Sequence, residues 1–162
     1  MTFKAQNYFS IIGLVLLALA LVGCAVGDPY GSAKNKIPEI KSDMGRIFVY
    51  RSRNPFALFH SRIFTLDGKH LADTLASTVF YYDAKPGPHV VDYNNGLSKL
   101  NINLSAGGKI YLKYSIVSDG TVKGNTAVEI IDPKIAEADL PGLQLIKPEI
   151  RHPDELKKLT GK

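Results

Sequence analysis

The chain has 162 residues, a net charge of +5, and 45% hydrophobic against 22% charged residues, the proportions of one folded domain rather than of two domains or a disordered chain. Twenty Lys and Arg against 15 Asp and Glu is a mild excess without the clustering of a nucleic-acid binder, so no nucleic acid is expected as a partner. A single cysteine excludes an internal disulfide framework and any cysteine-only metal site.

The first element is an apolar run. Phe9 to Val22 (FSIIGLVLLALALV) is 14 residues without a charge, short of the roughly 20 that a membrane-spanning helix needs. With Lys4 before it, the run suits the core of a secretory signal peptide. Leu21-Val22-Gly23-Cys24 then resembles the bacterial lipobox. That resemblance implies that residues 1–23 are a lipoprotein signal peptide removed by the lipoprotein-processing enzymes. The Cys24 thiol would take a diacylglycerol and its freed amine a further acyl chain such as palmitate. One chain binds a bilayer marginally, whereas two or three anchor it at about 0.8 kcal/mol per buried methylene. Ala25 stands where Asp marks inner-membrane retention in lipoproteins of the enterobacterial type, so the resemblance implies the outer membrane, facing the periplasm. The partner expected first is therefore the membrane, through the lipid anchor.

Ala25 to Met44 is rich in Gly, Pro, Ser, Asn and Lys without an apolar period, which reads as a flexible tether over 24–44 spanning roughly 25 Å. From Gly45 the composition changes: 11 of the 15 aromatic residues lie between Arg46 and Tyr114. Turn signals at Asn54-Pro55, Asp67-Gly68, Pro86-Gly87-Pro88, Asn95-Gly96, Gly107-Gly108 and Asp119-Gly120 separate short strands. These are expected near 45–51, 60–66, 69–74, 78–83, 89–94, 97–104, 109–118 and 124–131, an all-β, antiparallel β-sandwich over 45–146. A two-residue turn at Asn95-Gly96 sets Asp92 opposite Lys99, Val91 opposite Leu100 and His89 opposite Ile102, with one wet and one dry face. The same test at Asp67-Gly68 sets Phe64 opposite Leu71 and His70 opposite Thr65. At Asp119-Gly120 it fails, setting Glu129 opposite Ile110, and a bulge near Gly124 is expected instead. Asp132-Pro133 predicts a short helix near the C-terminus that Pro141-Gly142 stops, followed by an edge strand within 143–146. Residues 147–162 read as a polar tail with a short helix.

Taken in order, Gly45-Arg46-Ile47-Phe48-Val49-Tyr50-Arg51, Leu66-Asp67-Gly68-Lys69, Lys85-Pro86-Gly87-Pro88-His89 and Leu104-Ser105-Ala106-Gly107-Gly108-Lys109-Ile110-Tyr111-Leu112 resemble a family of small bacterial lipoproteins with a domain of unknown function. The family's pattern is a G-x-I-Y-x-Y-R strand, a V-D-G hairpin, a P-G-x-H turn and an A-G-x-x-Y-Y-L strand, and the likeness covers about Gly45 to Ile131. It departs mildly at Phe48, Leu66 and Leu112. The resemblance implies a lipid-anchored β-sandwich of the transthyretin-like kind and supplies no catalytic residue.

Candidate chemistry is sparse. Of His60, His70, His89 and His152, the hairpin register keeps His60 and His70 apart, and His89 follows a proline turn as a packed imidazole, so no metal and no cofactor are expected. Gly107-Gly108-Lys109 lacks the rest of a phosphate-binding loop and reads as a tight turn. Turn chemistry or a basic partner accounts for Asp67, Asp83, Asp92 and Asp119. The loop from Arg51 to Arg62 is the most suggestive stretch. Arg51, Arg53 and Arg62 surround Phe56, Leu58 and Phe59, which either form a docking surface for a protein or membrane or fold back to plug the sandwich. Tyr81 and Tyr82 are adjacent on a strand, so one is expected in the core and the other more exposed. The expected function is a non-enzymatic binding or scaffolding module of the cell envelope, its partner an envelope protein. The alternative is a cell-wall glycan-binding protein or a hydrolase in the periplasm, which a concave pocket of carboxylates and histidine would favour.

Overall fold

The computed structural model describes residues 27–52, 63–93, 98–117 and 125–148. The described chain begins with a short helix, α1 (Tyr30–Ala33), and a 3-10 turn (Lys34–Lys36). It continues through β1 (Gly45–Arg51), β2 (Ile63–Leu66), β3 (Lys69–Asp73), β4 (Thr78–Ala84), β5 (Gly87–Asp92), β6 (Lys99–Leu104), β7 (Lys109–Val117) and β8 (Asn125–Ile131). It ends with α2 (Pro133–Asp139) and β9 (Gln144–Leu145). The result is an all-β sandwich with a short helix near the C-terminus. One sheet runs β8-β7-β1-β4-β9 and the other β3-β2-β5-β6.

The two sheets meet in one core. Ile47, Val49, Phe80, Leu112, Tyr114 and Val128 of the first face Phe64, Leu66, Leu71, Val91, Ile102 and Leu104 of the second. Phe64 and Phe80 bridge the layers edge to face, with centroids 5.8 Å apart, a favoured aromatic geometry. The register Asp92↔Lys99, Val91↔Leu100 and His89↔Ile102 is the one expected, with Val91 and Ile102 buried and Lys99 and Asn101 exposed.

Three features differ from the sequence reading. The sheets are not wholly antiparallel: β1 pairs parallel with β7 and β4 parallel with β9. In the Asp67-Gly68 hairpin, Thr65 does face His70, but the register shifts between Phe64 and Thr65, so that Phe64 faces Ala72 rather than Leu71. The extra residue is a β-bulge, and it keeps both Leu71 and Ala72 buried. As expected, β7 and β8 do not take the simple register: they pair three residues out of it, so Glu129 faces Lys113 and not Ile110, an acidic residue across from a basic one being the favourable pairing. The bulge expected near Gly124 falls outside the described residues.

The largest difference concerns the expected tether. From Gly27 onward the segment is folded against the outer face of the first sheet. Tyr30 is buried with Phe48, Tyr50, Val79, Tyr111, Ala136, Leu140 and Leu143, and Ala33, three residues on and so on the same helix face, is buried too. The backbone is stitched as well: Tyr30 N–H donates to Leu143 O (2.7 Å), Gly31 N–H to Pro141 O (3.0 Å) and Leu145 N–H to Asp28 O (2.9 Å). Gly27 is required there, because a Cβ would lie 1.7 Å from the Leu145 carbonyl oxygen. The first sheet is therefore covered on both faces, which is why every residue of β1 is buried. α2 covers the same outer face. As expected, Asp132 caps it, its carboxylate accepting from Lys134 N–H at 2.8 Å, with Pro133 in the first turn.

Candidate functional site

A cavity of about 650 Å³ opens where the N-terminal segment meets the end of the described chain. Gly27, Asp28, Ala33, Lys36 and Ile37 form one wall, Tyr81 of β4 the floor, and Leu145, Ile146, Lys147 and Pro148 the other wall. Its ionisable lining is Asp28, Lys36 and Lys147, with the phenol of Tyr81. Asp28 and Lys36 pair at 3.6 Å with both side chains mostly exposed, so the pair contributes little and Lys36 stays accessible.

The floor is held from behind. Arg46 lies directly across from Asp83 in the β1–β4 register, and its Nε and Nη2 donate to the two Asp83 carboxylate oxygens at 2.6 and 2.8 Å. The third donor, Nη1, reaches Pro38 O at 2.9 Å, and the guanidinium lies 4.4 Å from the centre of the Tyr81 ring. One cation thus orients the aromatic floor and fixes the segment that walls the cavity. The hydrogen bond to Asp83 is the main reason the Arg46 pKa is raised further, burial opposing it.

A second polar network docks α2 on the same face. The Tyr50 hydroxyl donates to Asp139 at 3.1 Å, Lys113 Nζ donates to the same oxygen at 2.8 Å, and the Tyr111 hydroxyl donates to Glu137. Burial first, then the carboxylate partners, push both phenols well above the ordinary tyrosine pKa. Asp139 is held below the usual range by the Lys113 bond, which outweighs its partial burial. Tyr50 and Tyr111 therefore remain protonated donors and the helix stays pinned.

Several residues singled out by sequence occupy other roles. Arg51 does not stand on a docking surface: it is 2% exposed, with Nη1 donating to Thr74 O and the guanidinium 5.8 Å from the Tyr114 ring centre. An arginine that ends a strand covered on both faces is carried inward with it. Arg53, Phe56, Leu58, Phe59 and Arg62 lie outside the described residues, as do His60, His152, Asp119 and the lipobox with Cys24. His70 is buried and bonded through Nε2 to Asp73 at 3.0 Å. Gly107 and Gly108 form the expected tight turn, with Gly107 at φ 68°. Tyr81 and Tyr82 point to opposite faces, but both are half-buried, one in each cluster. Among the described residues no group of three or more His, Cys, Asp and Glu is placed to hold a metal, and no helix is long and apolar enough to cross a membrane.

His89 and Asp67 form the pair with a readable pH dependence. The His89 Nε2–H donates to Lys85 O and Nδ1 faces Asp67 Oδ2, both at 2.7 Å. Asp67, in the left-handed region at φ 52°, also accepts from Val90 N–H at 2.9 Å. Partial burial lowers the His89 pKa, but the bonds to Asp67 and to the Lys85 carbonyl and the Asp67 charge outweigh it, leaving it raised. Partial burial pushes Asp67 up, and Val90 N–H and His89 together bring it below its ordinary value. The His89 contribution is full below its unfolded pKa of 6.5 and is lost as pH rises through the raised folded value. The Asp67 contribution is present above 3.8 and is lost as pH falls through the lowered one. Melting curves should show His89→Gln closest to the parent above neutrality and most destabilised between about pH 4 and 6.5; an equal deficit at every pH would remove the charged pair from the account.

The cavity was missed in the sequence because its walls come from segments more than a hundred residues apart, and α1 is too short to show a period. The cue available was Tyr30 and Ala33 at helical spacing just after Pro29. No protein-family model matches the chain and no curated protein matches it. Among solved structures, the N-terminal domain of AlgF from P. aeruginosa is similar at 13% identity, with 57% of this chain and 98% of that chain covered and a TM-score of 0.36, too slight a likeness to bear on the site.

Proposed function

We propose that the chain is a cell-envelope lipoprotein, anchored through a lipidated Cys24 in the outer membrane and facing the periplasm, where it acts as a non-enzymatic binding or scaffolding module. The observation that carries this reading is the place and lining of the cavity. It opens at Gly27, three residues after Cys24, and its walls are apolar side chains with two lysines and one aspartate at the rim. Such a lining suits holding a ligand, whereas acid–base chemistry would need proton-transfer groups brought into reach of one another. His70, His89, Asp83, Glu137 and Asp139 are each bonded in structural pairs, which supports the same reading.

The test is fractionation of cells carrying Cys24→Ser. The expected result is loss of the processed form from the membrane, with soluble protein or unprocessed precursor in its place. An unchanged membrane fraction with normal processing would end the lipoprotein reading. In-cell crosslinking of the native form, followed by mass spectrometry, should then capture a discrete envelope protein that is missing when the mature chain is exported without its lipid.

A further inference from the structure

The folded N-terminal segment places the cavity against the bilayer. Cys24 precedes Gly27 by three residues, and three residues reach at most about 11 Å even when fully extended. Gly27 is itself part of the cavity wall and is fixed by the contacts of Asp28 and Tyr30 with Leu145 and Leu143. A chain lipidated at Cys24 therefore cannot hold the cavity away from the membrane surface. Its Gly27 wall must lie within about 11 Å of the lipidated residue.

The mouth carries the chemistry for that position. Lys36 and Lys147 are exposed at the rim on opposite walls, Lys34 is exposed on the same 3-10 turn, and among the described residues Asp28 is the one acidic lining group. Behind them, Ala33, Ile37, Tyr81, Leu145 and Ile146 offer apolar walls. Two ammonium groups above an apolar cleft match a phosphodiester with a glycerol backbone beneath it, and the cleft lies in the range of small-ligand sites, about 300–1,000 Å³. We infer that this cavity is a docking site for the headgroup of an anionic phospholipid, seating the domain directly on the bilayer in which Cys24 is anchored. This rests on the lipid-anchor reading for its geometry, and its test does not depend on acylation.

The test uses the mature chain carrying Cys24→Ser, exported behind an ordinary cleavable signal peptide, and vesicles of phosphatidylcholine with or without phosphatidylglycerol. The protein should co-sediment with the phosphatidylglycerol vesicles. Lys36→Gln with Lys147→Gln should weaken that binding about 25-fold, or about five-fold per lysine. Removing the same charge from the other sheet, with Lys69→Gln and Lys99→Gln, should leave it nearly unchanged. Monomeric dihexanoylphosphatidylglycerol should shift the NMR signals of Ala33, Ile37 and Ile146. Equal weakening by the two double variants, no preference for phosphatidylglycerol, or shifts confined to another face would each overturn the site. Failure of the anchor reading would appear separately, as native protein with intact Cys24 in the soluble fraction.

Discussion

Arg46→Ala should lower the melting temperature by about 10 °C. Arg46 is 4% exposed and its guanidinium has three jobs: the two-pronged bond to Asp83, the bond to Pro38 O and the stack on Tyr81. Breaking a buried charge pair costs about 3–5 kcal/mol because the surviving charge is stranded. Asp83 keeps 28% of its side chain in solvent, so the cost falls at the low end, about 3 kcal/mol. For a domain of this size, 1 kcal/mol shifts the melting temperature by about 3–4 °C. Arg46→Lys should recover part of the loss, since an ammonium keeps the charge but cannot serve Asp83 with two parallel donors and Pro38 with a third. Asp83→Asn should cost less than Arg46→Ala. A melting temperature for Arg46→Ala within 2–3 °C of the parent, under about 1 kcal/mol, would mean that the pair is solvated and that Pro38 is held by other contacts.

How much of this could be read from the sequence depended on how local the determinant was. The β5–β6 register was legible because a turn signal, which itself lies outside the described residues, and an alternating pattern fix both register and face over a short stretch, and the pairing of Val91 with Leu100 follows at once. The cap at Asp132-Pro133 was legible for the same reason. The parallel pairing of β1 with β7 was not, since Arg46↔Lys109 joins positions far apart in the chain and no local pattern encodes a partner. Arg51 was misplaced because an arginine flanking a polar stretch reads as surface, whereas covering both faces of β1 turns a strand end into interior. The segment around Tyr30 was misread on composition: Gly, Pro, Ser and Lys are loop formers, and four helical residues cannot display an amphipathic period. The cavity inherits that error, because one of its walls is the segment taken for a tether.

Tyr30→Ala tests whether that segment is a wall or a tether. The Tyr30 ring is 4% exposed, packed edge-on against Phe48 with centroids 6.1 Å apart, and replacing a buried aromatic residue by alanine costs about 3–5 kcal/mol. The ring is the large buried side chain of the segment whose backbone bonds run from Tyr30 and Gly31 to the 141–143 turn and from Leu145 to Asp28. The loss should therefore appear as local opening, distinct from unfolding of the sandwich. The Gly31 and Leu145 amides should exchange about 100-fold faster, equivalent to about 2.7 kcal/mol, while Val49 and Leu112 in the core exchange as before. Tyr30→Phe, which keeps the ring and its packing, should change little. Equal acceleration at Val49 and Leu112 would make the segment part of one cooperative unit with the sandwich; no acceleration at Gly31 would mean that the tyrosine does not hold it. The released stretch ends at Pro38, which Arg46 still holds, so the opening would remove the Gly27-to-Ile37 wall of the cavity and leave the sandwich in place. A single aromatic ring thus decides whether the segment before β1 is a wall of the cavity or a loose leader to the sandwich.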